Sequence, residues 1–199
     1  MINFSKVTIV TVTFNAALHL EQTIQSIINQ DYPNIEYIII DGGSTDGTVD
    51  IIKRYEKNLT YWASEPDSGI YDAMNKGIDV ATGEWINFMN AGDSFCEKST
   101  VSKIKAYLAE EIDILAGAIN YIASGKSELK KPLGADYKYD GMFCWHQAMF
   151  TKTALMKKFK FDTNLQLAAD YEFTLKCYES GHIFKFIDLF TIFPDYLSC

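Results

Sequence analysis

This chain of 199 residues predicts an α/β protein built on a mostly parallel, twisted sheet with helices on both faces. Three observations carry that expectation. Runs rich in β-branched residues alternate with segments of helical period through the first 93 residues, the pattern of a doubly wound sheet. Two of the apolar runs end in an acidic, glycine-containing loop, at Asp41 and at Asp93. The composition, 48% hydrophobic and 22% charged, supports one ordinary core, and the length is enough for a single domain.

The first strand is Val7 to Thr13, β-branched almost throughout and so suited to a central position. Asn15 offers an N-cap. Leu20, Ile24, Ile27 and Ile28 then fall on one helical face, and the helix must end before Pro33. Ile35 to Ile40 form a second strand closed by Asp41, and Val49, Ile51, Ile52 and Tyr55 mark a second helix. A short strand over 59–63, a helix over 68–81 stopped at Thr82-Gly83, and a strand over 85–89 complete the first half. Beyond it the sequence predicts a helix over 100–110, a strand over 112–122, a polar loop over 124–141 and a strand over 141–150. A helix over 168–179 with Gly181 as its stop and a final strand over 183–187 follow. No repeat or linker divides the chain, so residues 1–199 are expected to form one domain.

The formal net charge of −8 argues against general nucleic-acid binding. Cys96, Cys144, Cys177 and Cys199 have neither CxxC nor zinc-like spacing and are expected to be reduced thiols of a cytoplasmic protein. No signal peptide is recognised and no apolar run approaches the roughly 20 residues needed to span a bilayer, so membrane contact is expected to be peripheral at most.

The loop Asp41-Gly42-Gly43-Ser44-Thr45-Asp46-Gly47-Thr48 admits two readings. Asp41 can accept hydrogen bonds from a nucleobase imide or a ribose hydroxyl while the glycines let a ligand approach the backbone. The loop is equally an ordinary strand-to-helix turn capped by Ser44, Thr45 or Asp46. Asn90-Ala91-Gly92-Asp93 is likewise a turn or a place where Asp93 holds a divalent cation through oxygen. In Ser64 to Gly77, Ser68 or Asp67 can cap a helix, Asp67 and Asp72 offer acceptors at a pocket rim, and Lys76 offers a point charge for phosphate. Asp170 stands in the first turn of its helix, where a carboxylate is favoured by the helix dipole.

Taken together, these segments resemble the family 2 glycosyltransferases of the GT-A fold. Val10-Thr11-Val12-Thr13-Phe14-Asn15 resembles their opening strand, and the Asp41 loop resembles their Asp-Asp/Gly-Gly-Ser-Thr-Asp-Gly-Thr. Glu65 to Gly77 is similar to a segment of the capsule and exopolysaccharide (colanic-acid-type) branch, as is the pair His146-Gln147. The resemblance implies that Thr11 or Thr13, with Asp41, holds the base of a nucleotide diphosphate sugar, uridine first, and that Asp67 lies near that nucleotide. It implies a Mg²⁺ or Mn²⁺ ion on Asp93, with Asn90 on the ribose. The family usually carries Asp-Ala-Asp-Asp where this chain has Asn90-Ala91-Gly92-Asp93, which puts the strength of metal binding in question. Asp170 matches the catalytic base, His146 would meet the diphosphate, and Trp145 would stack on a sugar. Residues 1–95 would then bind the nucleotide and 96–199 a saccharide or lipid-linked acceptor. Many relatives continue with further helices, whereas this chain stops soon after its last predicted strand. The alternatives are a decayed, binding-only transferase and a sugar nucleotidyltransferase, although the segment after Val12 lacks the latter's basic, Gly-rich signature.

Overall fold

A computed structural model describes residues 5–123, 126–139 and 141–194. The strands are β1 (Val7–Thr13), β2 (Ile35–Asp41), β3 (Tyr61–Ser64), β4 (Trp85–Phe88), β5 (Asp93–Phe95), β6 (Ile114–Ala123), β7 (Lys126–Lys130), β8 (Met149–Lys152) and β9 (Phe184–Pro194). The helices are α1 (Leu20–Ile28), α2 (Thr48–Arg54), α3 (Ile70–Val80), α4 (Thr100–Lys105), α5 (Thr153–Phe159) and α6 (Ala169–Glu179). All strands join one sheet in the order β3-β2-β1-β4-β8-β6-β9-β5, with β7 paired to β6. The β3-β2-β1-β4 half is wholly parallel. In the other half, β8 runs antiparallel to β4 and β6, β9 parallel to β6, and β5 antiparallel to β9.

Helices cover both faces because the strands of the parallel half are apolar on both. Val7 and Ile9 of β1 and Ile39 of β2 pack under α1, α2 and α4 through Leu20, Ile24, Ile52 and Ile104. Val10, Val12, Ile38 and Ile40 pack on the opposite side under α3, α5 and α6 through Met74, Ile78, Met156 and Phe173. Period 2 in the strand and period 3.6 in the helices produce this division directly.

A buried carboxylate holds the end of the sheet opposite the Asp41 loop. Glu36 accepts hydrogen bonds from Thr8 Oγ1 (2.6 Å), Thr82 N (2.7 Å), Gly83 N (3.2 Å) and the Thr82 hydroxyl. Burial pushes its carboxyl up, but these bonds and Lys6 together hold it below its ordinary value. Gly83 is required by close approach: a Cβ there would stand 2.5 Å from Thr8 Oγ1 and 2.8 Å from Thr8 N.

Several expected elements differ. Asn15 is not a helix cap; it has φ 48° and its side-chain oxygen accepts from Thr45 N, so α1 begins later, at Leu20. The helix expected over 100–110 stops at Lys105, and the one expected from 68 begins at Ile70. The strand expected over 141–150 is confined to β8, because Asn87 Nδ2 grips the carbonyls of Gln147 and Met149 (both 2.8 Å) and bends 146–148 into a 3₁₀ turn. The polar stretch read as loop contains β7. The sequence reading contains neither β5 nor α5, and the last strand runs on to Pro194.

Cys144 and Cys177 are buried free thiols and Cys96 is partly buried; Cys199 lies outside the described residues. Burial pushes the Cys96 and Cys177 thiols up to about 12, so both remain protonated at neutral pH. Among the described residues no helix is long and apolar enough to cross a membrane.

Candidate active site

Strand order reverses at β1, whose neighbours are β2 on one side and β4 on the other. In an open α/β sheet the crevice at such a switch point, outside the carboxyl ends of the strands, is where ligands bind. A cleft of about 770 Å³ lies there, lined by Val12 to Ala16 at and beyond the end of β1, Gly42 and Gly43 after β2, Asn90 and Ala91 after β4, and Pro66, Asp67, Gly69 and Ile70 at the head of α3. Its size suits a nucleotide-scale ligand.

The cleft is held open by two loops bonded side by side. Asn15 N donates to Ser44 Oγ (2.7 Å), Ala16 N to Thr48 Oγ1 (2.9 Å) and Ala17 N to an Asp46 carboxylate oxygen (3.0 Å). Asp46 also accepts from Thr48 N (3.0 Å) in a local turn ahead of α2, but the N-cap is Gly47, at φ 103° and with no side-chain cap bond, so the cap expected from Ser44, Thr45 or Asp46 is not formed. The Asp41 carboxylate is completely buried and accepts from Gly43 N (3.1 Å), Ser44 N (2.9 Å), Ser64 Oγ (2.6 Å) and the Ser44 hydroxyl. It shapes the loop from beneath instead of standing free in the cleft.

Of the two threonines proposed for the nucleotide, Thr13 lines the cleft, and its buried hydroxyl has no partner. Thr11 lies deeper, its hydroxyl 3.1 Å from the Tyr37 hydroxyl in the core. Asp67 lines the cleft and crowds Gly42: a Cβ on Gly42 would meet the Asp67 carboxylate at 2.7 Å. Lys76 is turned away from a phosphate role, pairing with Glu65 (3.0 Å) and donating to the Pro66 carbonyl (3.2 Å). The sequence reading missed Phe14, 63% exposed in the cleft wall beside Thr13. An apolar ring directly after the last residue of β1 was the available signal.

Asp170, His146 and Asn90 form one chain of contacts. Asp170 is 7% exposed. Its Oδ2 lies 2.8 Å from His146 Nδ1, and its Oδ1 accepts from the Tyr71 hydroxyl (3.1 Å) and from Tyr171 N (2.9 Å). His146 Nε2 lies 3.2 Å from Asn90 Nδ2. Burial pushes the Asp170 carboxyl up, but the bonds from His146, Tyr171 N and Tyr71 outweigh it and leave the group below its ordinary value. Tyr71 is pushed up to about 12 by burial and by the Asp170 charge. Tyr71 was not singled out in the sequence, although it lies in the quoted segment. Trp145, expected as a sugar platform, is partly buried and packs against the hydrophobic core.

Asp93 follows the cleft wall closely but is 3% exposed in β5 and does not line the cleft. Among the described residues no cluster of three His, Cys, Asp or Glu side chains could cage a cation. Asp93 therefore does not present its carboxylate to the cleft as it stands, and a cation there would be held chiefly by a ligand's own phosphates and water, a mode Mg²⁺ commonly adopts.

Residues 8–166 match the family model "Glycosyl transferase family 2". A PGL/p-HBAD biosynthesis glycosyltransferase of Mycobacterium bovis BCG is 31% identical over 183 residues, covering 86% of this chain and 69% of that protein. An uncharacterized glycosyltransferase of Mycobacterium tuberculosis is 33% identical over 182 residues, covering 85% and 68%. The crystal structure of S. aureus TarS 1-349 in complex with UDP-GlcNAc superposes with a TM-score of 0.79 at 22% identity over 94% of this chain. The Pyrobaculum calidifontis mannosyltransferase PcManGT, in complex with GDP-Man and Mn²⁺, superposes with a TM-score of 0.77 at 18% identity over 98%. These likenesses are of fold, GT-A in kind, and this chain spans 58% of the length of each of those two structures.

Proposed function

Because the chain belongs to glycosyl transferase family 2, we propose that it transfers a sugar with inversion from a nucleotide diphosphate sugar to a hydroxyl of a saccharide or lipid-linked acceptor, in cell-surface polysaccharide synthesis. A UDP-sugar is the first donor to try. The observation that carries this reading is the buried Asp170 carboxylate, kept ionised by three donors and joined through His146 to the wall of the nucleotide-sized cleft.

Inverting transfer needs a base for the acceptor hydroxyl. In the proposed step the acceptor oxygen attacks the anomeric carbon as its proton passes to Asp170, and the bond from that carbon to the diphosphate oxygen breaks with its electron pair. Thr13, Asp67 and Asn90 hold the nucleotide in this scheme. Asp41 contributes by fixing the loop beside the base, and Phe14 offers a face for it. A Mg²⁺ or Mn²⁺ ion held chiefly by the donor's own phosphates and water would neutralise charge on the departing diphosphate, and Asp93, buried in β5, would have to turn towards the cleft to serve as its protein carboxylate. UDP-GlcNAc and GDP-Man in the related structures support screening both nucleotides.

The first test is a thermal-shift titration with UDP, GDP, CDP and dTDP, each with and without Mn²⁺. Saturation at a hundredfold excess over Kd should stabilise the native state by about 2.7 kcal/mol. A shift with one nucleotide, larger with Mn²⁺, supports the donor site; no shift with any of them removes it. The burial of Asp93 favours one second reading, a module that binds nucleotide without turning over. Activity settles between the two: Asp170→Asn should abolish transfer while leaving nucleotide affinity nearly unchanged, and a wild type that binds without transferring supports the second reading.

A further inference from the structure

Tyr71, Asn75 and Asp79 follow one another at intervals of four along α3, so they share one helical face, and each reaches the second half of the chain. Tyr71 meets Asp170. Asn75 clamps the backbone of Phe161 just past α5: its Nδ2 donates to Phe161 O and its Oδ1 accepts from Phe161 N, both at 2.9 Å. A backbone N–H only donates and a carbonyl only accepts, so the backbone itself fixes which end of this amide faces which. Asp79 pairs with Lys160 (2.7 Å) at the surface, a weaker hold. Lys160 has φ 50° and ψ 177°, backbone that a non-glycine residue keeps only where its surroundings enforce it. The clamp also seats a ring. Phe161 is buried, with its centroid 5.5 Å from that of Tyr71, 5.6 Å from Phe88 of β4 and 5.5 Å from Phe173, which stands one turn along α6 from Asp170.

We propose that Asn75 is a positioning residue for the transfer. By clamping Phe161 it sets one ring against both sides of the Tyr71–Asp170 bond: the tyrosine that donates and the helix that carries the carboxylate. The inference rests on Asp170 being the base of the proposed transfer. A base serves only within hydrogen-bond reach of the proton it takes, and a misplacement of about 1 Å can slow a reaction on the order of a hundredfold. The far side of α3 turns Ile70 and Ala73 to the cleft. Gly77, on that side too, lets the helix press on β1, where a Cβ would meet Val10 Cγ1 at 2.5 Å. One helix, seated on the sheet, thus forms a wall of the cleft and holds the base, and Asn75 ties the place of one to the place of the other.

Carboxyl ¹³C spectra of the aspartate-labelled protein at neutral pH, with Asp170 assigned through Asp170→Asn, test the clamp without any turnover. Tyr71→Phe should displace the Asp170 resonance. Asn75→Ala should displace it in the same direction, with little further change when the two are combined. In transfer assays below the unfolding transition, Asn75→Ala should lower kcat about tenfold or more and leave affinity for the donor nucleotide nearly unchanged. A residue that only stabilised the fold would lower Tm and move neither the resonance nor kcat. Phe161→Leu keeps both backbone bonds but removes the ring contacts; it should act alike, and it decides the matter if Asn75→Ala does not fold. A resonance left in place, effects that add in full to those of Tyr71→Phe, or an unchanged kcat would overturn the proposal. If the resonance moves as stated but wild type transfers no sugar, the transferase reading fails instead.

Discussion

Tyr71 sets its hydroxyl on Asp170 Oδ1, so Tyr71→Phe tests the carboxylate by deleting a single oxygen. A bond to a charged group contributes about 1.5–3 kcal/mol, and its loss should lower stability by roughly that amount at neutral pH. The sign with pH is fixed: the folded carboxyl lies below its ordinary value, so its contribution is present above that value and fades as pH falls through the folded one. The difference in Tm between variant and wild type should therefore narrow in acid. If Asp170 is the base as proposed, the acidic limb of kcat in a transfer assay should move up, by roughly one pH unit, because the carboxylate loses a donor that favours its ionised form. Two glycines should behave differently from each other. Gly83→Ala drives a Cβ into backbone and should cost about 2 kcal/mol or more in denaturant unfolding. Gly42→Ala meets the far end of the Asp67 carboxylate, which can swing, so nucleotide affinity should fall before stability does.

At the scale of elements, Asn87 is the joint between β4 and the turn that carries His146. Asn87→Val leaves two buried carbonyls without their donor and should cost about 2 kcal/mol or more, with transfer falling further than stability because the ring loses its seat. Asn87 also shows where sequence reading stops. The parallel half was legible because each strand is a β-branched run and each helix an apolar stripe. The acidic loops were legible because glycines and carboxylates mark turns whatever they bind. What was illegible depends on contacts distant in sequence: residues 141–150 have strand composition, yet an amide from position 87 bends them, and β5 exists only because β9 pairs with it. The site divides the same way. Asp170 and His146 stood out as residue types, whereas their bond, the part played by Tyr71, and the enclosure of Asp41 and Asp93 needed the fold.

Across the whole molecule, hydrogen-bonded carboxylates secure widely separated parts: buried Glu36 the end of β2 away from the cleft, partly buried Asp113 the start of β6, and buried Asp170 the candidate site. Burial pushes each up, and hydrogen bonds with neighbouring Lys6, Lys152 or His146 bring each below its ordinary value. Each stabilises the fold above the ordinary carboxylate range and ceases to do so as pH drops through its folded value. The protein should thus lose stability cooperatively in acid, and Glu36→Gln should shift the midpoint of acid unfolding by circular dichroism towards neutral pH, since an amide offers one acceptor where the carboxylate serves four donors. The ladder between β5 and β9 has a temporal meaning as well. Asp93 faces Pro194 across it, so a ribosome must add about a hundred residues before the strand behind the cleft gains its partner. During synthesis the first 95 residues would emerge with that edge uncovered, and a nascent chain paused short of β9 should remain sensitive to protease there until the last strand arrives.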